Sequence, residues 1–284
     1  MKRAALIPCK GLGDGIIMLI AANYLKKQGF QTTIYHNILP SLSPWLPEFI
    51  LKPGNAIQTD YECIFYQNEN APRAEKFRSL EHVHILYHNH EEKKHPAIRS
   101  QDFYLGTNAP IATSLSKTLS MPCKSGLIPP SNLVHKKYTT RVAIHPTSRE
   151  NFRNWPKEKF LKLAEELKKR GFDPQFVMSQ EEWENWGYET PHLANLSETA
   201  AFLYESGSFI GNDSGLGHLA SALRIPTLTL SNRHQHISLW RPSFYTNHVV
   251  LPSKLYPKRY REEQWKKLIS VQKVLTNFLK LFTN

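Results

Sequence analysis

The chain has little of what most specialised sites are built from. Its three cysteines, Cys9, Cys63 and Cys123, are too few and too scattered for a disulfide framework or a zinc site. Such usage fits a reducing cytoplasm. No apolar run reaches the roughly eighteen residues that would mark a membrane span. The run that begins at Ala4 is broken by Pro8 and Lys10, so the start of the chain does not read as a signal peptide. No Asp-x-Asp occurs, which excludes the metal-held sugar-nucleotide site of one transferase class. Also missing are a Gly-x-x-x-x-Gly-Lys-(Ser/Thr) P-loop and a Gly-x-Ser-x-Gly nucleophile elbow. No zinc-finger or RRM signature points to nucleic acid as a partner. Acidic residues are scarce: 24 Asp and Glu face 36 Lys and Arg, a net charge of +12. That excess suits anionic small molecules or an anionic membrane surface, and it also fits a basic face that only aids solubility.

The rest of the sequence describes an α/β protein. With 284 residues, 40% of them hydrophobic, there is material for two domains of ordinary size. Strand signals fall at 4–7, 32–35, 63–66 and 83–87, then around Val142, Phe176, Phe209, Thr227 and Val249. Helical periodicity falls at 16–28, 74–80, 110–119 and 157–170, and in one long amphipathic stretch at 262–282. Such alternation implies parallel sheets. The Pro- and Ser-rich piece at 121–131 reads as a linker. The expected division is 1–135 and 136–262, with a C-terminal helix over 263–284.

Three segments carry chemistry. In Ile210-Gly211-Asn212-Asp213-Ser214-Gly215-Leu216-Gly217-His218, a strand meets capping residues and then a helix. A helix start offers unpaired N–H groups and a positive dipole end, which suit a phosphate. Gly215 and Gly217 would let a ligand approach the backbone. An ordinary capped helix would read the same. The second segment is a strand ending in His145-Pro146-Thr147-Ser148, followed by Arg149, Arg153 and Trp155-Pro156. Its hydroxyls lie at the carboxyl end of a strand, where open α/β sheets bind ligands, and its arginines suit phosphate. The third is Lys10-Gly11-Leu12-Gly13-Asp14-Gly15 after the first strand. Its glycine spacing is not that of a dinucleotide fingerprint, and Asp14 would put a carboxylate where a pyrophosphate should lie. Asp14 is better placed to accept a proton or hold a hydroxyl, or to cap a helix beginning near Ile16.

Taken in this order, the three segments resemble glycosyltransferase family 9, the ADP-heptose lipopolysaccharide heptosyltransferases. The matches are Gly13-Asp14, His145-Pro146-Thr147-Ser148 with Arg153 and Trp155-Pro156, and Asp213-Ser214-Gly215-Leu216-Gly217-His218. The resemblance implies the GT-B architecture, two Rossmann-like domains facing a cleft, with the final helix crossing back to the first domain. It implies inverting transfer of a heptose from a nucleotide-activated donor, ADP-heptose, with no metal. Asp14 would be the base and Arg153 would relieve charge on the leaving diphosphate. Thr147, Ser148, Arg149, Asp213, Ser214, Gly215, Leu216, Gly217 and His218 would surround the donor. Glu181 or Glu182, after the strand near Phe176, would take the ribose diol. Lys10, Gly11 and Gly13 would border the acceptor, an anionic glycolipid of lipopolysaccharide-core type or another glycan. Such a protein is expected in the cytoplasm, in peripheral contact with the inner face of the inner membrane. Two other readings are a GT-B transferase or epimerase for a different sugar nucleotide, and a catalytically silent GT-B-like binding protein. A crowd of histidines, His82, His84, His88, His90 and His95, superficially suggests a zinc-protease motif. Five residues turn a helix by about 500°, however, so His90 and His95 would lie on different faces.

Overall fold

The first apolar run becomes β1 (Arg3–Ile7), and the glycine-rich stretch after it enters α1 (Leu12–Lys27) directly. The computed structural model describes residues 2–69, 72–88, 98–184, 186 and 191–282. The remainder of the first unit, Met1–Ile128, is built from β2 (Gln31–Tyr35), β3 (Ile50–Lys52), β4 (Cys63–Gln67), α2 (Pro72–Arg78), β5 (Val83–Tyr87), β6 (Phe103–Tyr104) and α3 (Ile111–Thr118). Its strands pair in parallel in the order β3-β2-β1-β4-β5-β6. The central strands are continuous apolar runs because both faces of a parallel sheet are buried. The chain moves outward from β1 to β3, then returns to add β4 on the other side. The order therefore reverses between β1 and β4, and at such a reversal the outgoing loops part and leave a crevice.

The second unit, Pro129–Asn284, repeats the scheme. It comprises β7 (Tyr138–His145), α4 (Lys157–Lys168), β8 (Asp173–Phe176), α5 (Gln180–Glu184), α6 (Leu196–Tyr204), β9 (Ser206–Asn212), α7 (Gly215–Ala222), β10 (Thr227–Leu230), α8 (His234–Trp240), β11 (Asn247–Val250), α9 (Lys258–Leu268) and α10 (Val271–Leu279). Its sheet is also parallel, ordered β11-β10-β9-β7-β8, and it reverses between β7 and β9.

Three expectations change. The first helix starts at Leu12 rather than near Ile16, so Asp14 lies inside its first turn and Gly11 is the N-cap residue. The division into compact units falls after Ile128, ahead of the expected 135. The C-terminal stretch is two helices, not one: Ile269 is extended and Ser270 caps α10 by accepting from the Lys273 N–H. The break is held from outside. The Trp155 indole N–H donates to the Ile269 carbonyl at 3.0 Å, and Lys159 Nζ donates to the same oxygen at 2.9 Å. The apolar face of α10, with Val274, Leu275 and Phe278, is buried with Leu163 and Leu167 of α4 and Val250 of β11. Each such side chain contributes about 2 kcal/mol by leaving water. That face is therefore engaged within the second unit.

Candidate active site

The two sheet reversals coincide with the sequence segments singled out above. In the first unit, β1 leads to Asp14 and its neighbour β4 ends at Gln67. The Gln67 Oε1 accepts from the Cys9 N–H at 2.9 Å, which leaves its amide nitrogen to donate to Asp14 Oδ1 at 2.7 Å. Asp14, third residue of α1, also folds back to the helix's own start and accepts from the N–H groups of Gly11 and of Asp14 itself. This is one half of a capping box. Glycine at position 11 leaves room for this carboxylate: an added Cβ would lie 2.6 Å from Asp14 Oδ2 and displace it. His36 braces the same turn. Its Nε2 bonds the carbonyls of Cys9 (3.0 Å) and Gly11 (3.2 Å), while its Nδ1 accepts from the N–H groups of Ile38 and Leu39. Burial pushes the Asp14 carboxyl above its ordinary range, and the nearby Glu69 adds to this, despite the hydrogen bonds that favour its charge. A partly buried carboxylate of raised proton affinity is what a general base requires. Lys10 beside it is exposed, and Gly13 lies in the same helical turn.

In the second unit the ends of β7 and β9 are adjacent, with His145 opposite Gly211. Asn212, at the end of β9, ties them together. Its Nδ2 donates to the Pro146 carbonyl at 2.6 Å and its Oδ1 accepts from the Trp155 N–H at 3.1 Å. Both feet of the 147–154 loop are thereby fixed to the strand that feeds α7. Trp155 is buried in the core, edge-on to Phe160 at 5.0 Å. The Trp-Pro pair thus anchors the loop from below.

Within this frame, Thr147 Oγ1 donates to Glu182 Oε1 at 2.6 Å, and Ser179 donates to Glu182 Oε2 through its N–H and hydroxyl. Burial works against the Glu182 charge, but His145, Thr147 and Ser179 together hold the carboxyl below its usual range. Glu182 is thus tied into the protein, whereas Glu181 is exposed on the first turn of α5. Ser148 Oγ donates to Asn154 Oδ1 at 2.7 Å. Arg153 ends a short 3-10 turn, Asn151–Arg153, paired with Glu150 at 2.9 Å and lying over the Phe152 ring. Arg149 is exposed.

The start of α7 carries the third group. Ser214 is the N-cap residue, but its hydroxyl makes no cap bond and is buried without a partner. Gly215 and Leu216 are half-buried. Gly217 is buried, and a Cβ there would meet the Pro242 ring at 3.3 Å. Its lack of a side chain serves packing against Pro242. Asp213 lies 3.5 Å from Arg233 Nη2 and 3.4 Å from His236 Nδ1. Burial would raise its carboxyl, yet His236, His218 and Arg233 hold it low. His218 is buried. A hydrogen bond to the Trp240 backbone engages its Nε2, and its Nδ1 has no partner. Burial lowers its pKa to about 4, so the ring is neutral near pH 7, with Nε2–H donating and Nδ1 able to accept.

The sequence had not singled out Gln67, His36, Arg233 or His236, and it read Asn212 as a capping residue rather than as the tie between the ends of β7 and β9. Gln67 becomes visible only once β4 is known to pair with β1. Among the described residues no group of three His, Cys, Asp or Glu side chains gathers to hold a metal ion. His90 and His95 lie outside the described residues. His82 Nε2 and His84 Nδ1 bond the carbonyls of Thr59 and Gln101.

The buried histidines give a pH signature. The pKa of His218 falls from 6.5 unfolded to about 4 folded, and that of His145 moves in the same direction through burial. Between those values the unfolded chain binds more protons, so stability is complete above pH 6.5 and falls as pH drops toward 4. For His218 the loss is about 3 kcal/mol. Urea melts at pH 7 and pH 4.5 should show it, and His218→Gln should flatten the dependence. An unchanged pH slope in that variant would remove His218 as a source.

Two parallel α/β units with ligand-type residues at both reversal points define the GT-B class of fold. Solved structures share it. A glycosyltransferase of family 9 from Veillonella parvula DSM 2008 superposes with a TM-score of 0.71 at 15% identity, covering 99% of this chain and 97% of that one. The E. coli ADP-heptose lps heptosyltransferase II gives 0.70 at 15%, covering 99% and 98%. The model of glycosyltransferase family 9 (heptosyltransferase) matches residues 124–269, just over half of the sequence, and the chain belongs to that family. Lipopolysaccharide heptosyltransferase 3 of Escherichia coli K12 is 28% identical over an alignment of 147 positions that covers 46% of this chain and 42% of that protein. The matched part thus spans less than half of that relative's length. Among the described residues, no helix is long and apolar enough to cross a membrane.

Proposed function

We propose that the protein transfers a heptose from a nucleotide-activated donor, ADP-heptose, to a hydroxyl of an anionic glycan or glycolipid of lipopolysaccharide-core type, with inversion. The observation that carries this reading is that the neighbouring strands β7 and β9, which lead to Thr147-Ser148 and to the Ser214–Gly217 helix start, end side by side at the sheet reversal, inside the region matched by the family. Transfer passes through an oxocarbenium-like state that needs a base on the acceptor and charge relief on the leaving group. Asp14 removes the acceptor proton, and Gln67 and the Gly11 N–H hold its carboxylate in place. Arg153 and the N–H groups at the start of α7 take up charge on the departing diphosphate, with Arg149 at its edge. Thr147 and Ser148 turn from their internal acceptors or accept from the ligand. Glu181 or Glu182, at the start of α5 after β8, takes the ribose diol. Lys10, Gly11 and Gly13 border the acceptor. No metal or other cofactor takes part in this scheme. The net charge of +12 favours an anionic acceptor and a peripheral position on an anionic inner-membrane surface, reached from the cytoplasm.

The test is calorimetric binding of ADP, GDP and UDP, with hydrolysis of their sugar conjugates, in EDTA and in Mg²⁺. The expected result is preference for ADP and the same affinity in both buffers. A strict Mg²⁺ requirement, or tighter binding of UDP or GDP, would overturn the corresponding part of the reading.

A further inference from the structure

Beside Asp213 the second unit has another opening, which the scheme above does not use. It lies beyond the ends of β10 and β11, with a volume of roughly 390 Å³, and its lining includes Arg233, His234, His236, Lys254, Lys258 and Arg261. Glu262 is the one carboxylate in that lining. The turn after β10 is built to present these groups. Ser231 Oγ accepts from the Arg233 N–H at 3.3 Å, and His234 Nε2 bonds the Pro252 carbonyl at 3.1 Å, joining the loops after β10 and β11.

Two features suit the opening to an anion. Arg233 is partly neutralised by Asp213, but among the described residues no ion pair involves Lys254, Lys258 or Arg261. The first turn of α9 holds Lys258 and Arg259 and no acid, against the helix dipole, which favours negative charge at that end. An anion in the opening would pair the cations and suit the helix start. A cluster of this size matches a dianion with three acceptor oxygens.

We infer that this opening binds a phosphomonoester carried by a sugar substrate, next to and separate from the diphosphate site; the word sugar rests on the transferase reading. The pocket begins at Arg233, within 3.5 Å of Asp213, the residue before the α7 cap. A phosphate held there would lie beside the donor-binding turn and could select phosphorylated glycans.

The test is titration of the whole chain with inorganic phosphate, glucose 6-phosphate and glucuronate. Saturating ADP keeps phosphate off the diphosphate site. If ADP fails to bind, the nucleotide reading is lost, and the titration proceeds without it. Inorganic phosphate and glucose 6-phosphate should bind, glucuronate more weakly. Lys258→Gln with Arg261→Gln should weaken both phosphates about tenfold or more, while ADP affinity stays within about twofold. Lys258 is exposed, so Lys258→Gln alone preserves the fold and should give part of the loss. Lys162→Gln with Lys168→Gln removes the same charge from α4 and should change nothing. Equal losses in both double variants would reduce the effect to net charge and overturn the site. Binding of inorganic phosphate alone would overturn the sugar-borne source, and equal binding of glucuronate would overturn the phosphomonoester.

Discussion

Asp14→Asn is expected to abolish sugar transfer while leaving nucleotide affinity nearly unchanged. An amide takes up no proton near neutral pH, so the variant loses base catalysis, worth about 10² to 10⁴ in rate. The structure makes the test cleaner than a cap residue would allow. The N-cap residue is Gly11, so the substitution leaves that residue in place and removes only the reciprocal bond that Asp14 accepts at the helix start. An Asn side-chain oxygen can still accept from Gln67, which donates to Oδ1 at 2.7 Å. What is lost is the charge at the third helical position and the bond from the Gly11 N–H, about 1 kcal/mol between them. Relief of a buried charge acts in the opposite direction. The melting temperature should therefore move little. Gln67→Leu supplies the companion measurement. It deletes the donor that favours the charged form, so the acid limb of the rate profile should shift to higher pH. Asp14 as a mere structural residue would not move that limb. Full transfer by a stable Asp14→Asn variant would remove it from the mechanism.

Much of this arrangement was legible from the sequence because strand and helix periodicities and short capping runs are local signals. The strands around Val142, Phe176, Phe209, Thr227 and Val249 all form, and the 157–170 helix appears as α4. What failed depended on contacts distant in sequence. The 262–282 pattern is continuous in apolar spacing, yet Trp155 and Lys159 capture the Ile269 carbonyl from more than a hundred residues away and divide the stretch. Strands β3 and β6 are three and two residues long and exist only through their sheet partners. Gln67 looks like an ordinary polar residue after a strand, and only the β1–β4 pairing turns it toward Asp14. Gly217 adds a packing reason that the sequence could not show, since an added Cβ there would meet the Pro242 ring at 3.3 Å.

Arg153→Ala should lower turnover by about 10² to 10³ with little change in nucleotide affinity. A guanidinium facing charge that develops only as the diphosphate departs acts mainly in the transition state. A structural role for Arg153 predicts something different. Its described ion pair is with Glu150, three residues away, and the two side chains are 27% and 42% exposed. Such a pair contributes between nothing and about 1 kcal/mol to stability. The loop itself is fixed by Asn212 at Pro146 and Trp155, not by Arg153. The melting temperature of Arg153→Ala should thus stay close to that of the parent. The deletion has one further consequence. With Arg153 gone, the Glu150 carboxylate is left unpaired in the same loop as the diphosphate groups, and its repulsion deepens the defect. Glu150→Gln combined with Arg153→Ala should recover part of the lost rate, whereas Glu150→Gln alone should change little. Arg153→Lys should retain more activity than Ala but less than the parent, because an ammonium lacks the planar fork that donates two parallel bonds to phosphate. Arg149→Ala, removing an exposed arginine from the same loop, serves as the comparison. If Arg149→Ala shows the large loss and Arg153→Ala does not, the leaving-group role belongs to Arg149, and Arg153 serves only to hold Glu150.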